Sequence, residues 1–368
     1  MTFERYMALC LYHPEFGYYM QDRERTGVAG DYFTSSDLHP VFARLVARQA
    51  VEIWEAMGRP RPFTFVECGP GRGLFASEFL AWAKQTLPDF FSALAYTAIH
   101  PAGAGAQPCA RVLERLREKD LGNAIRLAGN LEELDLVTGC FFSNELVDAF
   151  PVSVVTRAAG HLKEVYVTAE GSELREKLGP LSDPHLAAYV ARYAPQLEEG
   201  QRVEVNLHAV RWIRSVAGKL VRGFVLSIDY GEVAERLYTP DRPRGTLLAY
   251  RSHRASEDFF SAPGGCDLTA HVNFSALIEA GKDAGLEWSG FTTQEAFLMA
   301  LGEPNEFADL YDPGQEEVQK LQARLKLKRL VSPAGMGTTF KVLIQHRGVS
   351  GLKLTGLRYA RTNSELRI

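Results

Sequence analysis

Three glycines, at positions 69, 71 and 73, follow an acidic residue, Glu67, in a stretch whose residue types suit a ligand site. Glycine lets the backbone approach a ligand closely, and the helix expected beyond the stretch offers free N–H groups at the positive end of its dipole. The spacing differs from the dinucleotide fingerprint GxGxxG, because position 74 is leucine. An acid at position 67 would repel pyrophosphate and attract a cation. S-adenosylmethionine carries a sulfonium and an ammonium group, so the stretch predicts this cofactor.

The flanking residues predict the elements that such a motif requires. Phe63, Phe65 and Val66 suit a buried strand, and residues 74–87 carry apolar side chains at helical spacing. Two other interpretations of the stretch stay open. One is a nicotinamide or flavin site, and the other is a tight turn without a ligand.

Polar side chains that suit cofactor binding, in the case of Asn144, or proton transfer follow two later predicted strands. They are, in chain order, Asn144, Glu145 and Asp148 after the first strand, then Asp229 and Tyr230 after the second. Strands that alternate with helices predict a parallel sheet, which binds its ligands at the carboxyl ends of the strands. We therefore expect these side chains at the ligand edge, although Glu145 and Asp148 could instead cap the next helix.

Two loop-rich segments each have a functional and a structural interpretation. A loop that folds over the cofactor is one interpretation of Gly30, Asp31, Thr34 and Ser35, whereas Ser36 or Asp37 could simply be the N-cap of the next helix. The second segment, residues 232–274, is long enough for a functional loop. It contains His271, which could be a general base or a hydrogen-bonded structural residue.

The same patterns predict a domain organisation. Residues 59–151 and 223–346 read as an α/β core, and residues 152–222 read as an inserted segment of short strands and polar helices. Residues 1–58 are predicted to be a mostly helical segment that covers the cofactor. The tail, residues 347–368, lacks periodicity and is expected to be flexible.

The composition argues against several classes of protein. The chain has 368 residues, of which 46% are hydrophobic, so it can bury a sizeable core. A formal net charge of −4 gives no general attraction to nucleic acid or to an anionic membrane. The basic run from Lys320 to Arg329 is interpreted as a solvated helix face.

Five cysteines without a CxxC pair indicate neither a disulfide framework nor a metal site. Without a signal peptide or a long apolar run, we expect a cytoplasmic protein.

Ordered blocks along nearly the whole chain resemble the MidA-type methyltransferases. The blocks are Tyr12-His13-Pro14, residues 17–19, 30–35 and 67–73 (with Glu67, Gly69, Pro70, Gly71 and Gly73), 143–151, 229–231, 245–247, 267–274, 336–337 and 340–343. The resemblance implies a class I methyltransferase fold, an α/β architecture with a mostly parallel seven-stranded sheet and helices on both faces. It also implies a protein arginine N-methyltransferase that uses S-adenosylmethionine. Its protein substrate would be a subunit of a respiratory complex or of another assembly.

One block departs from the family pattern. The second strand of the core normally ends in an acid that would bind the two ribose hydroxyls of the cofactor, and this chain has His100 there. Each charge-assisted hydrogen bond contributes about 1.5–3 kcal/mol, so the loss of both could weaken binding by about 100-fold. A neutral imidazole can still accept one such bond.

These observations leave two hypotheses about function. In the first, the chain transfers a methyl group to a protein side chain, and Glu145 and Asp148 bind the acceptor. Asp229 is a further acid there, and Tyr230 and His271 line the pocket. In the second, His100 marks a decayed cofactor site, and the chain is an assembly or scaffolding protein without catalytic activity. The oligomeric state cannot be inferred from these patterns.

Overall fold

The computed structural model describes residues 1–21, 25–27, 30–100, 106–312, 314–332, 335–349, 351 and 353–360, with the backbone alone for 106–111. The helices are α1 (Phe3–Tyr12), α2 (Ser35–Leu38), α3 (Val41–Ala56), α4 (Leu74–Thr86), α5 (Pro88–Ala93), α6 (Ala106–Arg117), α7 (Pro184–Tyr193), α8 (Leu207–Lys219), α9 (Ala234–Leu237), α10 (Phe274–Asp283), α11 (Gln294–Gly302) and α12 (Glu317–Val331). The strands are β1 (Phe63–Cys68), β2 (Leu94–Ile99), β3 (Ile125–Ala128), β4 (Val137–Asn144), β5 (Ser153–Ala158), β6 (His161–Glu170), β7 (Glu173–Gly179), β8 (Arg202–Val205), β9 (Leu220–Glu232), β10 (Leu248–Arg251), β11 (Arg254–Ser256), β12 (Asp267–Thr269), β13 (Val272–Asn273), β14 (Glu287–Thr293) and β15 (Phe340–Arg347).

The chain forms two compact units, each built from separate stretches of sequence. The first unit comprises Met1–Tyr32, Leu146–Ile213 and Tyr230–Ala280, and the second comprises Phe33–Glu145, Arg214–Asp229 and Gly281–Ile368. The division does not follow the boundaries that we predicted, because the N-terminal residues belong to the same unit as most of the segment that we interpreted as an insertion.

The second unit contains the central sheet, whose strand order is β14-β15-β9-β4-β1-β2-β3. The pairs β3–β2, β2–β1, β1–β4 and β4–β9 are parallel, whereas β14 and β15 are antiparallel. This path agrees with the predicted mostly parallel sheet of seven strands. The last residues of β9, Gly231 and Glu232, pair with a further strand, β13, and this pairing lies within the first unit.

Aromatic side chains hold α4 against the strands of this sheet. The rings of Phe65 and Phe79 lie 4.6 Å apart, and those of Phe75 and Phe142 lie 4.4 Å apart. All four side chains are at most 4% exposed. Burial of one such ring contributes about 1.5–3 kcal/mol, so the cluster fixes the helix that follows the glycines.

The first unit contains two antiparallel sheets with the strand orders β7-β6-β5-β8 and β11-β10-β12. The apolar face of α1, with Phe3, Met7 and Leu11, is buried in one cluster with Val165 of β6 and Leu268 of β12. This packing explains why the first residues of the chain join a unit to which they are not adjacent in sequence.

The tail departs from the expected flexibility over residues 353–360. The N–H of Thr355 donates to the carboxylate of Glu52 at 3.0 Å, and the N–H of Gly356 donates to Oε1 of Gln49 at 3.0 Å. These bonds tie the tail to α3, and the prediction of flexibility is wrong for this stretch. Of the other residues in that prediction, 350, 352 and 361–368 lie outside the described residues.

Two properties of the described part of the chain bear on its class. Its helices are all too short or too polar to cross a membrane. Its histidine, cysteine and acidic side chains do not form a group of three or more that could bind a metal ion.

Candidate functional site

The glycine stretch forms the turn between β1 and α4. Gly69, Gly71 and Gly73 have positive φ angles of 80°, 50° and 73°, and the N–H of Gly73 donates to the carbonyl of Pro70 at 2.8 Å, which closes the turn. Within the described residues, a Cβ atom added at Gly71 would have no atom within 4 Å, whereas one added at Gly73 would lie 3.0 Å from the side chain of Val112 in α6. Gly71 therefore borders open space, while Gly73 allows two helices to approach each other.

Glu67 is buried in β1 directly before this turn. Its side chain is 3% exposed, and its Oε2 atom accepts a hydrogen bond from the hydroxyl of Tyr96 at 2.8 Å. Burial raises the pKa of Glu67 to about 7, and the bond from Tyr96 partly opposes this shift. A cationic ligand beside this carboxyl would favour its ionised form, as we expected for an acid at this position.

The end of β4 presents polar atoms that suit a ligand. The hydroxyl oxygen of Ser143 and Oδ1 of Asn144 are buried without a hydrogen-bond partner in the part of the chain that the structure describes. Buried polar groups normally find a partner, so these two atoms point to a bound group that supplies one. The residues present therefore fit a polar cofactor at the carboxyl edge of the sheet.

Glu145 follows β4 in a backbone conformation that is uncommon for residues other than glycine. Its φ is 51°, and its N–H donates to the carbonyl of Ile228 in β9 at 3.0 Å. Its Oε1 atom accepts from the N–H of Ser35 at 2.9 Å and from the amide of Asn144 at 3.0 Å. The structure thus brings two motifs of the sequence, around residues 35 and 145, into direct contact.

Thr34 is the N-cap of α2 and forms a capping box with Asp37. Ser36 and Asp37 lie within α2, and the N-cap of the following helix α3 is Pro40, so the alternative that Ser36 or Asp37 is the N-cap of that helix is wrong. The carboxylate of Asp37 also binds the guanidinium of Arg72 in the glycine turn. Whether Thr34 and Ser35 contact the cofactor remains a prediction.

In the first unit, Asp31 organises its own loop. Its carboxylate accepts from the hydroxyl of Tyr18 at 2.8 Å and from the N–H of Ser252 at 2.7 Å. Gly30 permits a close approach, since a Cβ atom there would lie 2.3 Å from the carbonyl oxygen of Arg25. A direct role for Gly30 and Asp31 in cofactor binding remains a prediction.

Three of the predicted catalytic side chains come together in the first unit. Asp148 is 5% exposed and accepts a hydrogen bond from the hydroxyl of Tyr230. The rings of Tyr230 and His271 lie 5.4 Å apart, edge to face, and the backbone N–H of His271 donates to the hydroxyl of Thr246 at 3.0 Å. Burial raises the pKa of Asp148 to about 6, while the bond from Tyr230 lowers it.

Asp267 is a buried acid that the sequence analysis did not select. It is 2% exposed and accepts from the hydroxyl of Tyr19 at 2.8 Å. Burial, and then the charge of Asp148, raise the pKa of Asp267 to about 7. In the block 267–274 the sequence favours His271, because histidine is the usual base near neutral pH, and it does not show that Asp267 is buried.

The two remaining predicted residues lie at strand ends of the second unit. Asp229 is 1% exposed near the end of β9. His100 follows β2, and its N–H donates to the carbonyl of Ala128 at 3.0 Å. Since Cys68 pairs with Ile99, His100 lies next to the glycine turn in the sheet. The glycine-rich residues 101–105 that follow lie outside the described residues.

A mostly parallel sheet with this strand order, an acid, a glycine turn and polar strand ends are the features of a class I methyltransferase. The model of a family described as S-adenosyl-L-methionine-dependent methyltransferase matches residues 45–292, more than half of the chain. The chain belongs to this family, which confirms the sheet architecture, the cofactor and the methyltransferase activity expected from the sequence.

Solved structures give the same result. The chain superimposes on a COG1565 superfamily member from Burkholderia thailandensis bound to S-adenosyl-homocysteine, with a TM-score of 0.88 and 31% identity over 99% of this chain and 92% of that one. A native structure of a COG1565 superfamily protein from the same organism has a TM-score of 0.85, also with 31% identity over 99% of this chain and 92% of that one.

Curated relatives match along nearly the whole chain. The Drosophila melanogaster protein named protein arginine methyltransferase NDUFAF7 homolog, mitochondrial, is 27% identical over 94% of this chain and 81% of its own. The human protein arginine methyltransferase NDUFAF7, mitochondrial, is 26% identical over 98% of this chain and 82% of its own. The prediction of a cytoplasmic protein is therefore wrong, because these relatives are mitochondrial proteins.

Proposed function

We propose that the chain transfers a methyl group from S-adenosylmethionine to the guanidinium of an arginine in another protein. The support for arginine is the name of the curated relatives together with the acid at the end of β4, Glu145. That the acceptor is a subunit of a respiratory complex is a prediction of the resemblance alone.

The observation that carries the proposal is the placement of Glu145. A positive φ at a residue other than glycine is uncommon and persists only where the surrounding structure imposes it. Here the bond to the carbonyl of Ile228 holds the backbone of Glu145, and the bonds from the N–H of Ser35 and the amide of Asn144 hold its carboxylate. The strand end thus presents a carboxylate in a fixed orientation, as recognition of a planar guanidinium requires.

The residues of the chain would hold the cofactor and prepare the acceptor. When bound, S-adenosylmethionine supplies an electrophilic methyl group on its sulfonium. The turn at Gly71, the orphaned oxygens of Ser143 and Asn144, and Glu67 would bind it. Glu145 would orient the guanidinium and take a proton from it, since this group is always protonated in water.

Radioactive methyl transfer tests the proposal. The purified chain is incubated with S-adenosylmethionine labelled in the methyl group and with a protein extract of source cells that lack the gene. Total acid hydrolysis then separates methylated amino acids. Label in methylarginine is expected with the native chain and not with Glu145→Gln. Label in another amino acid, or no label from a chain that binds the cofactor, would overturn the arginine assignment.

A further inference from the structure

The outer face of α12 carries a row of exposed aliphatic side chains. Val318, Leu321 and Leu325 are 66%, 55% and 57% exposed, and their spacing of three and four residues puts them on one side of the helix. The opposite side is buried through Ala323 and Leu330. The row therefore points away from the core of its unit, and no neighbour covers it within the described residues.

Cationic side chains border this row. Lys328 and Arg329 lie three and four residues beyond Leu325, and Lys326 follows it directly. No ion pair among the described residues includes any of these three cations. By contrast, Lys320 pairs with Glu317 at 2.8 Å. The basic run that we interpreted as a solvated face is thus combined with an apolar row, which solvation does not explain.

We propose that this surface, the α12 stripe (Val318, Leu321, Leu325, Lys328 and Arg329), docks an amphipathic helix of another protein whose apolar side is flanked by acidic residues. Leucines of the partner would cover the three aliphatic side chains, and its carboxylates would pair with the unpaired cations. Helices recognise each other through such apolar rows, and flanking charges select the partner. The inference does not depend on the identity of the methyl acceptor.

Charge complementarity favours this occupant over two others. A second copy of the chain, packed through the same face with the two α12 helices parallel, would bring Lys328 and Arg329 against their own counterparts, which is unfavourable, and an antiparallel pair is one of the outcomes of the test below. A membrane surface suits helices whose apolar face is broad and contains tryptophan or phenylalanine. Here the apolar row has three aliphatic residues, and the rest of the helix is fixed to its unit.

The expected interaction is modest. Three half-exposed side chains bury less apolar area than a standard interface, so a dissociation constant in the micromolar range is expected, which should rise with salt. The probe is a synthetic helical peptide of three heptads, with leucine at the a and d positions and glutamate at the e and g positions. The fluorescence anisotropy of the labelled peptide is measured as increasing amounts of the full chain are added. A peptide with lysine in place of every glutamate serves as the charge control.

Matched variants distinguish binding at the α12 stripe from non-specific binding of the peptide to exposed apolar side chains. The double variants Leu321→Gln/Leu325→Gln and Lys328→Glu/Arg329→Glu should each weaken binding of the glutamate peptide by about 10-fold. Leu136→Gln, which changes another exposed leucine of the same unit (70% exposed), should leave it unchanged. All these positions are exposed, and circular dichroism checks that the variants fold.

Several results would overturn the proposal. They are equal binding of the lysine peptide, no binding of either peptide, and an equal loss with Leu136→Gln. Sedimentation that shows a dimer dissociated by Leu325→Gln would assign the stripe to self-association. Cosedimentation with vesicles of anionic phospholipid that depends on Leu325 would assign it to a membrane surface.

Discussion

The backbone N–H of Ser35 donates a hydrogen bond to Oε1 of Glu145 across 2.9 Å, although 110 residues separate them in sequence. This bond joins the start of α2 to the end of β4. It fixes one oxygen of the carboxylate through the backbone, so the contact does not depend on which side chain occupies position 35.

The contact predicts different effects for two substitutions of Glu145. Glutamine retains an oxygen that can accept the bonds from Ser35 and Asn144, so Glu145→Gln should keep the affinity for S-adenosylmethionine within a few-fold. Turnover should fall by about 100-fold or more, because the amide cannot take a proton. Glu145→Ala should lose the contact and weaken both. Titration calorimetry and labelled methyl transfer measure the two effects, and unchanged turnover in Glu145→Gln would contradict the assigned role.

The glycine turn predicts that two alanine substitutions act on different properties. Gly71→Ala has room for its Cβ atom, so it should lower the unfolding free energy only by the roughly 1 kcal/mol of a positive φ, and weaken cofactor binding more strongly. Gly73→Ala adds to this strain a contact with Val112 at 3.0 Å. It should therefore destabilise the fold more, by about 1–3 kcal/mol. Urea unfolding and calorimetry separate the two, and equal stabilities would refute the distinction.

Glu67 predicts a proton release when the cofactor binds. The pKa of Glu67 is raised to about 7 from the ordinary 4.5, so the carboxyl keeps its proton at about pH 6. A sulfonium or ammonium group nearby would favour the ionised form and expel that proton. At about pH 6, the binding enthalpy of the native chain should change with the ionisation enthalpy of the buffer, and that of Glu67→Gln should not. Equal buffer dependence in both would show that the proton comes from another group.

The same shift makes a prediction about stability. Between pH 4.5 and about 7 the folded chain retains a proton on Glu67 that the unfolded chain has lost. This contribution to the unfolding free energy is complete below pH 4.5 and disappears as the pH rises towards 7. Glu67→Gln should flatten that part of the pH dependence in urea unfolding, and an unchanged slope would contradict the raised pKa.

Much of the second unit could be predicted from the sequence, because its signals are local. The strand at residues 63–68, the glycine turn and the following helix each have a pattern that short-range physics explains. The contact between Ser35 and Glu145 could not be predicted, since it joins backbone and side chain across 110 residues. The resemblance placed both motifs in one family without indicating that they touch.

The first unit was harder to predict for the same physical reason. The packing of α1 against β6 and β12 depends on residues from three separate stretches, and the helical period of α1 does not identify its partner. Asp267 was missed because an aspartate at the start of a short strand carries no periodic signal. Its burial beside Asp148 arises only in the folded chain.

His100 predicts a gain of affinity on substitution. Position 100 follows β2 beside the glycine turn, where an acid would accept bonds from both ribose hydroxyls. His100→Glu should therefore strengthen binding of S-adenosylmethionine by about 10-fold or more. Binding of S-adenosylmethionine analogues without the ribose hydroxyls should not improve. If the variant binds S-adenosylmethionine no better than the native chain does, His100 already binds the ribose hydroxyls as well as an acid would.

The pair formed by Asp148 and Tyr230 predicts the acidic limit of activity. The pKa of Asp148 is raised to about 6 by burial, and the hydrogen bond from Tyr230 restrains that rise. If Asp148 grips a cationic acceptor as its carboxylate, turnover should fall as the pH drops through about 6. Tyr230→Phe removes the restraining bond, so its acidic limb should move to higher pH while the fold persists. Asp148→Asn should lose this limb together with most of the turnover.

Tyr166→Phe, whose hydroxyl bonds only to the carbonyl of Pro180 in the described part of the chain, is the matched control and should keep the native profile. A limb that stays in place in Tyr230→Phe would mean that Asp148 does not set it, and the acid at position 267, whose pKa is also raised, would then become the group to substitute.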